Sequence, residues 1–100
     1  MATTSKALAR TAAATSSTTL YTVPASTTAI VTNIAVTNTA GAAATFTITL
    51  NGIALLSGVS LAANTTAFFD IKQTLTATQV IAGFASATTV NFHISGVEVA

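Results

Sequence analysis

Apolar and polar residues alternate most cleanly at positions 45–50. Phe46, Ile48 and Leu50 fall on one side of an extended chain, and Thr45, Thr47 and Thr49 on the other. Asn51-Gly52 follows at once. A two-residue type I′ turn needs positive φ at both central positions, which Asn and Gly tolerate, so a hairpin with a return strand over 53–56 is predicted. Before it, residues 18–23 read as a strand stopped by Pro24, which has no ladder donor. Residues 29–38 read as a long strand with Ile30, Thr32, Ile34 and Val36 on one face and Val31, Asn33, Ala35 and Thr37 on the other. Gly58 permits a bend before a short strand at 59–61. Residues 65–71 place Ala67, Phe69 and Ile71 opposite Thr66, Phe68 and Asp70, and the more polar 72–78 read as a loop. In 80–85, Val80, Ala82 and Phe84 share a face. In 89–99, Val90, Phe92 and Ile94 share one, and the apolar phase then moves to Val97 and Val99, which predicts a bulge at Ser95-Gly96.

No segment keeps a helical period. Seven or eight short strands separated by turn signals predict an all-β fold, an antiparallel β-sandwich of jelly-roll-like type, over residues 18–100. The expected core is Leu20, Ile30, Ile34, Phe46, Ile48, Phe69, Phe84 and Phe92. Residues 1–17 are mostly Ala, Thr and Ser, with Leu8 as the one large apolar side chain after Met1. Such a stretch cannot build a core of its own and is expected to be an extended arm, flexible or docked on a partner.

Charge changes the picture most. Only 5% of the 100 residues are charged, and these are Lys6, Arg10, Asp70, Lys72 and Glu98. The net charge of +1 supplies no basic patch to displace the counterions of DNA or RNA, so a nucleic-acid partner is not expected. No apolar run approaches the ~20 residues of a bilayer span, and a membrane role is not expected either. The absence of Cys excludes disulfides and thiol chemistry. A chain with so little charge and so much Thr, Ala and Val risks edge-to-edge association, which points to a protein that lives among neighbours in an assembly.

Candidate chemistry is sparse. Asp70, His93 and Glu98 are the natural set for a metal or hydrolytic site, but their spacing matches no metal motif. The many Ser and Thr hydroxyls lack a Gly-x-Ser-x-Gly elbow, and His93 is the only histidine that could serve as their base. No Gly-rich phosphate loop is present, and no cofactor is expected. Asp70 and Lys72 sit two apart and could pair on the surface. Phe68 points away from Phe69 and is either an interface anchor or covered by a second sheet. The candidate partner contacts are Lys6, Leu8 and Arg10 in the arm, and Phe68, Asp70 and Lys72.

The run Thr18-Thr19-Leu20-Tyr21-Thr22-Val23-Pro24-Ala25 continues into Thr28-Ala29-Ile30-Val31-Thr32-Asn33-Ile34 and Val36-Thr37-Asn38-Thr39. With Leu50-Asn51-Gly52, Phe69-Asp70-Ile71-Lys72-Gln73 and the segment from Val90 to Glu98, it resembles a pattern of small β-sandwich virion structural proteins of tailed bacteriophages. In that pattern Gly often follows Pro-Ala, where this chain has Ser26. The resemblance implies assembly rather than catalysis. It leads to the expectation of a capsid decoration or cement protein on the virion surface that bridges subunits of the major capsid protein, with a homotrimer favoured. A tail, collar or baseplate component is the alternative. A host-surface carbohydrate-binding module ranks below both, since Trp is absent and Tyr21 is the only Tyr.

Overall fold

The Asn51-Gly52 turn organises the whole chain. In the computed structural model, which describes residues 3–100, Asn51 has φ 51° and Gly52 φ 80°, the signs a type I′ turn requires. On either side of it run β4 (Ala44–Leu50) and β5 (Ile53–Leu61). The pairing continues outward from that tip. β3 (Thr28–Asn38) pairs with β6 (Thr65–Leu75), β2 (Thr18–Thr22) with β7 (Val80–Ala85), and β1 (Thr3–Ala12) with β8 (Val90–Val99), all antiparallel. The chain is thus one long hairpin that has been rolled up. Rolling brings β8 beside β3 and β7 beside β4. The result is two four-stranded sheets, ordered β1-β8-β3-β6 and β2-β7-β4-β5. That order is an antiparallel jelly-roll sandwich, the fold class expected from the strand pattern.

The core lies between the sheets. Val31, Ile34, Val36, Phe46, Ile48, Ile81, Val90, Phe92 and Ile94 are fully buried. Phe46 stands at the centre, edge-on to Phe69 at 6.0 Å and to Phe92 at 6.2 Å between ring centroids, the T-shaped geometry that aromatic quadrupoles favour. Asn38 is the one buried polar residue among those described. Its Nδ2 donates to the carbonyls of Ala42 (2.8 Å) and Leu61 (3.3 Å), and its Oδ1 accepts from the Ala40 amide (3.1 Å). A single side chain therefore holds the loop after β3 to the end of β5.

Five sequence expectations are corrected. The segment read as an arm is β1, an edge strand whose pairs run from Thr3↔Val99 to Ala12↔Asn91. Strand addition uses backbone groups, so an Ala/Thr segment with little core-forming power can still complete a sheet. Ile30 was expected in the core but lies outside it. The register slips between Val31 and Asn33, leaving Thr32 as an extra residue opposite β8. Because strand faces alternate every residue, this bulge reverses the phase, turning Ala29 and Val31 inward before it and Ile34 and Val36 inward after it. The bulge expected at Ser95-Gly96 therefore sits on the neighbours of β8, at Thr32 and at Leu8 of β1. β8 itself stays regular, so Val97 and Val99 lie on its outer face, in phase with His93. On β7 the inner face is Ile81, Gly83 and Ala85, and Phe84 points outward. Finally, β6 runs on to Leu75, where a loop was expected, because Gln73, Thr74 and Leu75 pair with Val31, Ile30 and Ala29.

Ser26 adopts φ 59°. This is a left-handed backbone, which Gly adopts more readily than Ser.

Candidate functional site

The distribution of charge on the sandwich is uneven. Lys6 and Arg10 lie on β1, and Asp70 and Lys72 on β6, the two edges of one sheet. Both strands are also bulged, β1 at Leu8 and β6 between Asp70 and Gln73. Charges and bulges on edge strands prevent indiscriminate sheet extension. The edges of the second sheet are managed differently: β2 is short, and β5 is bulged near Gly58 and carries no charge.

The outer face of the β1-β8-β3-β6 sheet gathers three of the expected contact residues. Register places Arg10, His93, Ala35 and Phe68 in one row across the four strands. The next row holds Ala7, Ser95, Asn33 and Asp70, and the row on the other side Ala12, Asn91, Thr37 and Thr66. Phe68 is 72% exposed on this face. Cross-strand bonds stiffen it. Asn33 Nδ2 donates to Asp70 Oδ1 at 3.2 Å, and the Thr37 and Thr66 hydroxyls lie 2.9 Å apart. A depression of about 240 Å³ is lined by Arg10, Thr11, Ala12, Asn91 and His93. The face is therefore a flat bed of small, mostly uncharged side chains, with a cation at one edge and an aromatic ring and a carboxylate at the other.

The remaining expected contacts are placed elsewhere. Leu8 is only 7% exposed and packs over Gly96, so it belongs to the core and cannot meet a partner. Both Leu8 and Ala9 turn inward at the β1 bulge, which a period-two reading could not show. Lys72 lies exposed in the β6 bulge. Asp70 is bonded by Asn33, and it forms no ion pair with Lys72.

A second cluster escaped the sequence reading altogether. Glu98 of β8 accepts a hydrogen bond from the Tyr21 hydroxyl on β2 and lies 3.4 Å from Lys6 Nζ on β1. Tyr21 and Glu98 are 77 positions apart, and no local pattern signals their meeting. The Tyr21 hydrogen bond holds the Glu98 carboxyl below its usual range, aided by Lys6 and opposed by partial burial. Burial raises the Tyr21 phenol, and the hydrogen bond and charge of Glu98 raise it further. With the carboxylate acting as acceptor and the phenol kept protonated, the cluster ties the two sheets together at the β1/β2 side.

Asp70, His93 and Glu98 do not converge: Asp70 and His93 face outward on separate strands, while Glu98 is held by Tyr21 and Lys6. Among the described residues no group of three His, Cys, Asp or Glu side chains is placed to hold a metal ion. Neither a protein-family model nor a curated protein sequence matches the chain.

Proposed function

We propose that this chain is a non-enzymatic structural subunit of a phage virion, most specifically a capsid decoration protein that binds across subunit boundaries of the shell. The observation that carries the reading is the outer face of the β1-β8-β3-β6 sheet, where an exposed Phe68 stands among Ala, Ser, Thr and Asn side chains. A wide, flat face with one aromatic anchor and few charges is inexpensive to desolvate and suits burial against another protein. The titratable groups support the same reading. Tyr21 and Lys6 both hold Glu98 across strands, and Asn33 donates to one oxygen of Asp70. Double-sheet jelly rolls are frequent among capsid proteins, which agrees with the reading by analogy of fold alone.

A cement works by burying area across joints, so that opening the shell must also break those contacts. The test is labelling of intact particles with an antibody against this chain, viewed by electron microscopy. Label spread over the head is the expected result. Label confined to the tail or neck transfers the assignment to a tail or collar component, and absence from particles overturns both.

A further inference from the structure

We propose that the outer face of the β1-β8-β3-β6 sheet binds the same face of a second copy of this chain, about a two-fold axis parallel to the strands. This rests on the reading of that face as a contact surface and names its partner.

Charge placement carries the pairing. Arg10 stands on the edge strand β1, and Asp70 on the opposite edge strand β6, both on the same outward face. A two-fold axis along the strands, passing between β8 and β3, lays β1 of each copy over β6 of the other. Arg10 then lies over Phe68 of the second copy, in the same row, with Asp70 of that copy one step of about 7 Å further along the strand. Each dimer repeats this twice. A guanidinium can stack on an aromatic ring while pairing with a carboxylate beyond it. Between the two charged margins lie Ala35, His93, Ser95 and Asn33, and His93 meets Ala35 of the second copy. Apart from His93, which faces an alanine, small side chains at the centre let the two sheets approach. A two-fold axis across the strands would instead lay β1 over β1 and β6 over β6, placing like charges together.

Area supports the contact. Four strands of about ten residues span roughly 19 by 34 Å, on the order of 600 Å² per copy. The two copies together pass the ~1,000 Å² that a specific interface needs. Phe68, 72% exposed in the single chain, becomes the buried anchor on both sides.

The test is sedimentation equilibrium of the full chain over a range of concentrations and salt, with a charge exchange. The unaltered chain is expected to form a dimer that weakens as salt rises. Arg10→Asp and Asp70→Arg, each alone, are expected to raise the dissociation constant roughly tenfold or more, and the two together to restore it. Phe68→Ser is expected to leave a monomer. All three sites of change are exposed, and far-UV circular dichroism checks that each of the four variants keeps its strands. A chain that stays monomeric at every concentration, a trimer, or a double variant as weak as the singles overturns the proposal. Particle labelling is independent of this result: a dimer that is absent from particles removes the virion assignment and leaves the face-to-face contact standing.

Discussion

At the scale of single residues, close approach and hydrogen bonding decide more than hydrophobicity. A Cβ built on Gly96 would meet the carbonyl oxygen of Ile30 and come within 2.8 Å of Leu8 Cδ1. The first obstacle is backbone and cannot rotate away. Gly96→Ala is therefore expected to destabilise the fold by roughly 3 kcal/mol through overpacking. Gly41 has nothing within 4 Å of the same position, so Gly41→Ala is expected to be neutral or slightly stabilising, by less than about 1 kcal/mol. Urea unfolding of the pair checks both, and equal effects would refute the steric account. The Tyr21–Glu98 contact makes a second prediction. Glu98 has a folded pKa below its ordinary 4.5, so its contribution is present above that value and is lost as pH falls through the depressed folded one. Tyr21 has a folded pKa above its ordinary 10.0, so its contribution is present below that value and is lost as pH rises through the raised folded one. Stability is expected to fall at both acid and alkaline ends, and Tyr21→Phe to flatten both slopes. Thermal melts from pH 2 to pH 12 measure this, and a variant with unchanged slopes would show that other groups carry them.

At the scale of elements, strands were legible where one face is apolar and the other is not. The Thr/Phe/Ile alternation of β4 and the Asn51-Gly52 turn could be read directly, because each has a local physical cause. β7 could not be oriented, because Val80, Ala82 and Phe84 are as apolar as Ile81, Gly83 and Ala85. On β3, a bulge at Thr32 carries no sequence mark of its own, yet it moves Ile30 out of the core and Val31 into it. The outer face of the β1-β8-β3-β6 sheet was half legible. Alternation put Phe68 and Asp70 together on the face opposite Phe69 but left open what covers it, and the alignment of Arg10 with them depends on β1 joining the sheet. Nothing in an Ala/Thr segment announces that step. Its consequence can be measured. β1 covers the edge of β8 and brings Leu8 and Ala9 into the core. A chain lacking residues 1–12 is expected to lose at least about 3 kcal/mol from apolar burial alone and to associate through the uncovered β8 edge. Unfolding titrations and light scattering on the truncated chain check this. Unchanged stability would restore the view of this segment as a free arm.

At the scale of the whole molecule, the topology constrains how the chain can reach its fold. Every primary pairing is a rung of one hairpin, from Leu50↔Ile53 at the tip to Thr3↔Val99 at the open end. Closing the tip costs little chain entropy, and closing the open end first would cost far more. Folding is therefore expected to proceed outward from Asn51-Gly52, with β1 docking last. A molecule dominated by such distant pairings is expected to fold in milliseconds to seconds. Two substitutions separate the early and late parts. Gly52→Ala forces an L side chain to φ 80° at a cost of roughly 1–2 kcal/mol, and most of that cost is expected in the folding rate, which should slow about five- to tenfold. Leu8→Ala removes a contact expected to form last. Its cost of about 2 kcal/mol is expected almost wholly in unfolding, which should quicken by roughly 30-fold while folding stays within about twofold. Stopped-flow chevrons of the two variants decide the order. If Leu8→Ala slows folding as much as Gly52→Ala does, the sheets assemble together, and the rolled hairpin describes only the finished molecule and not the route to it.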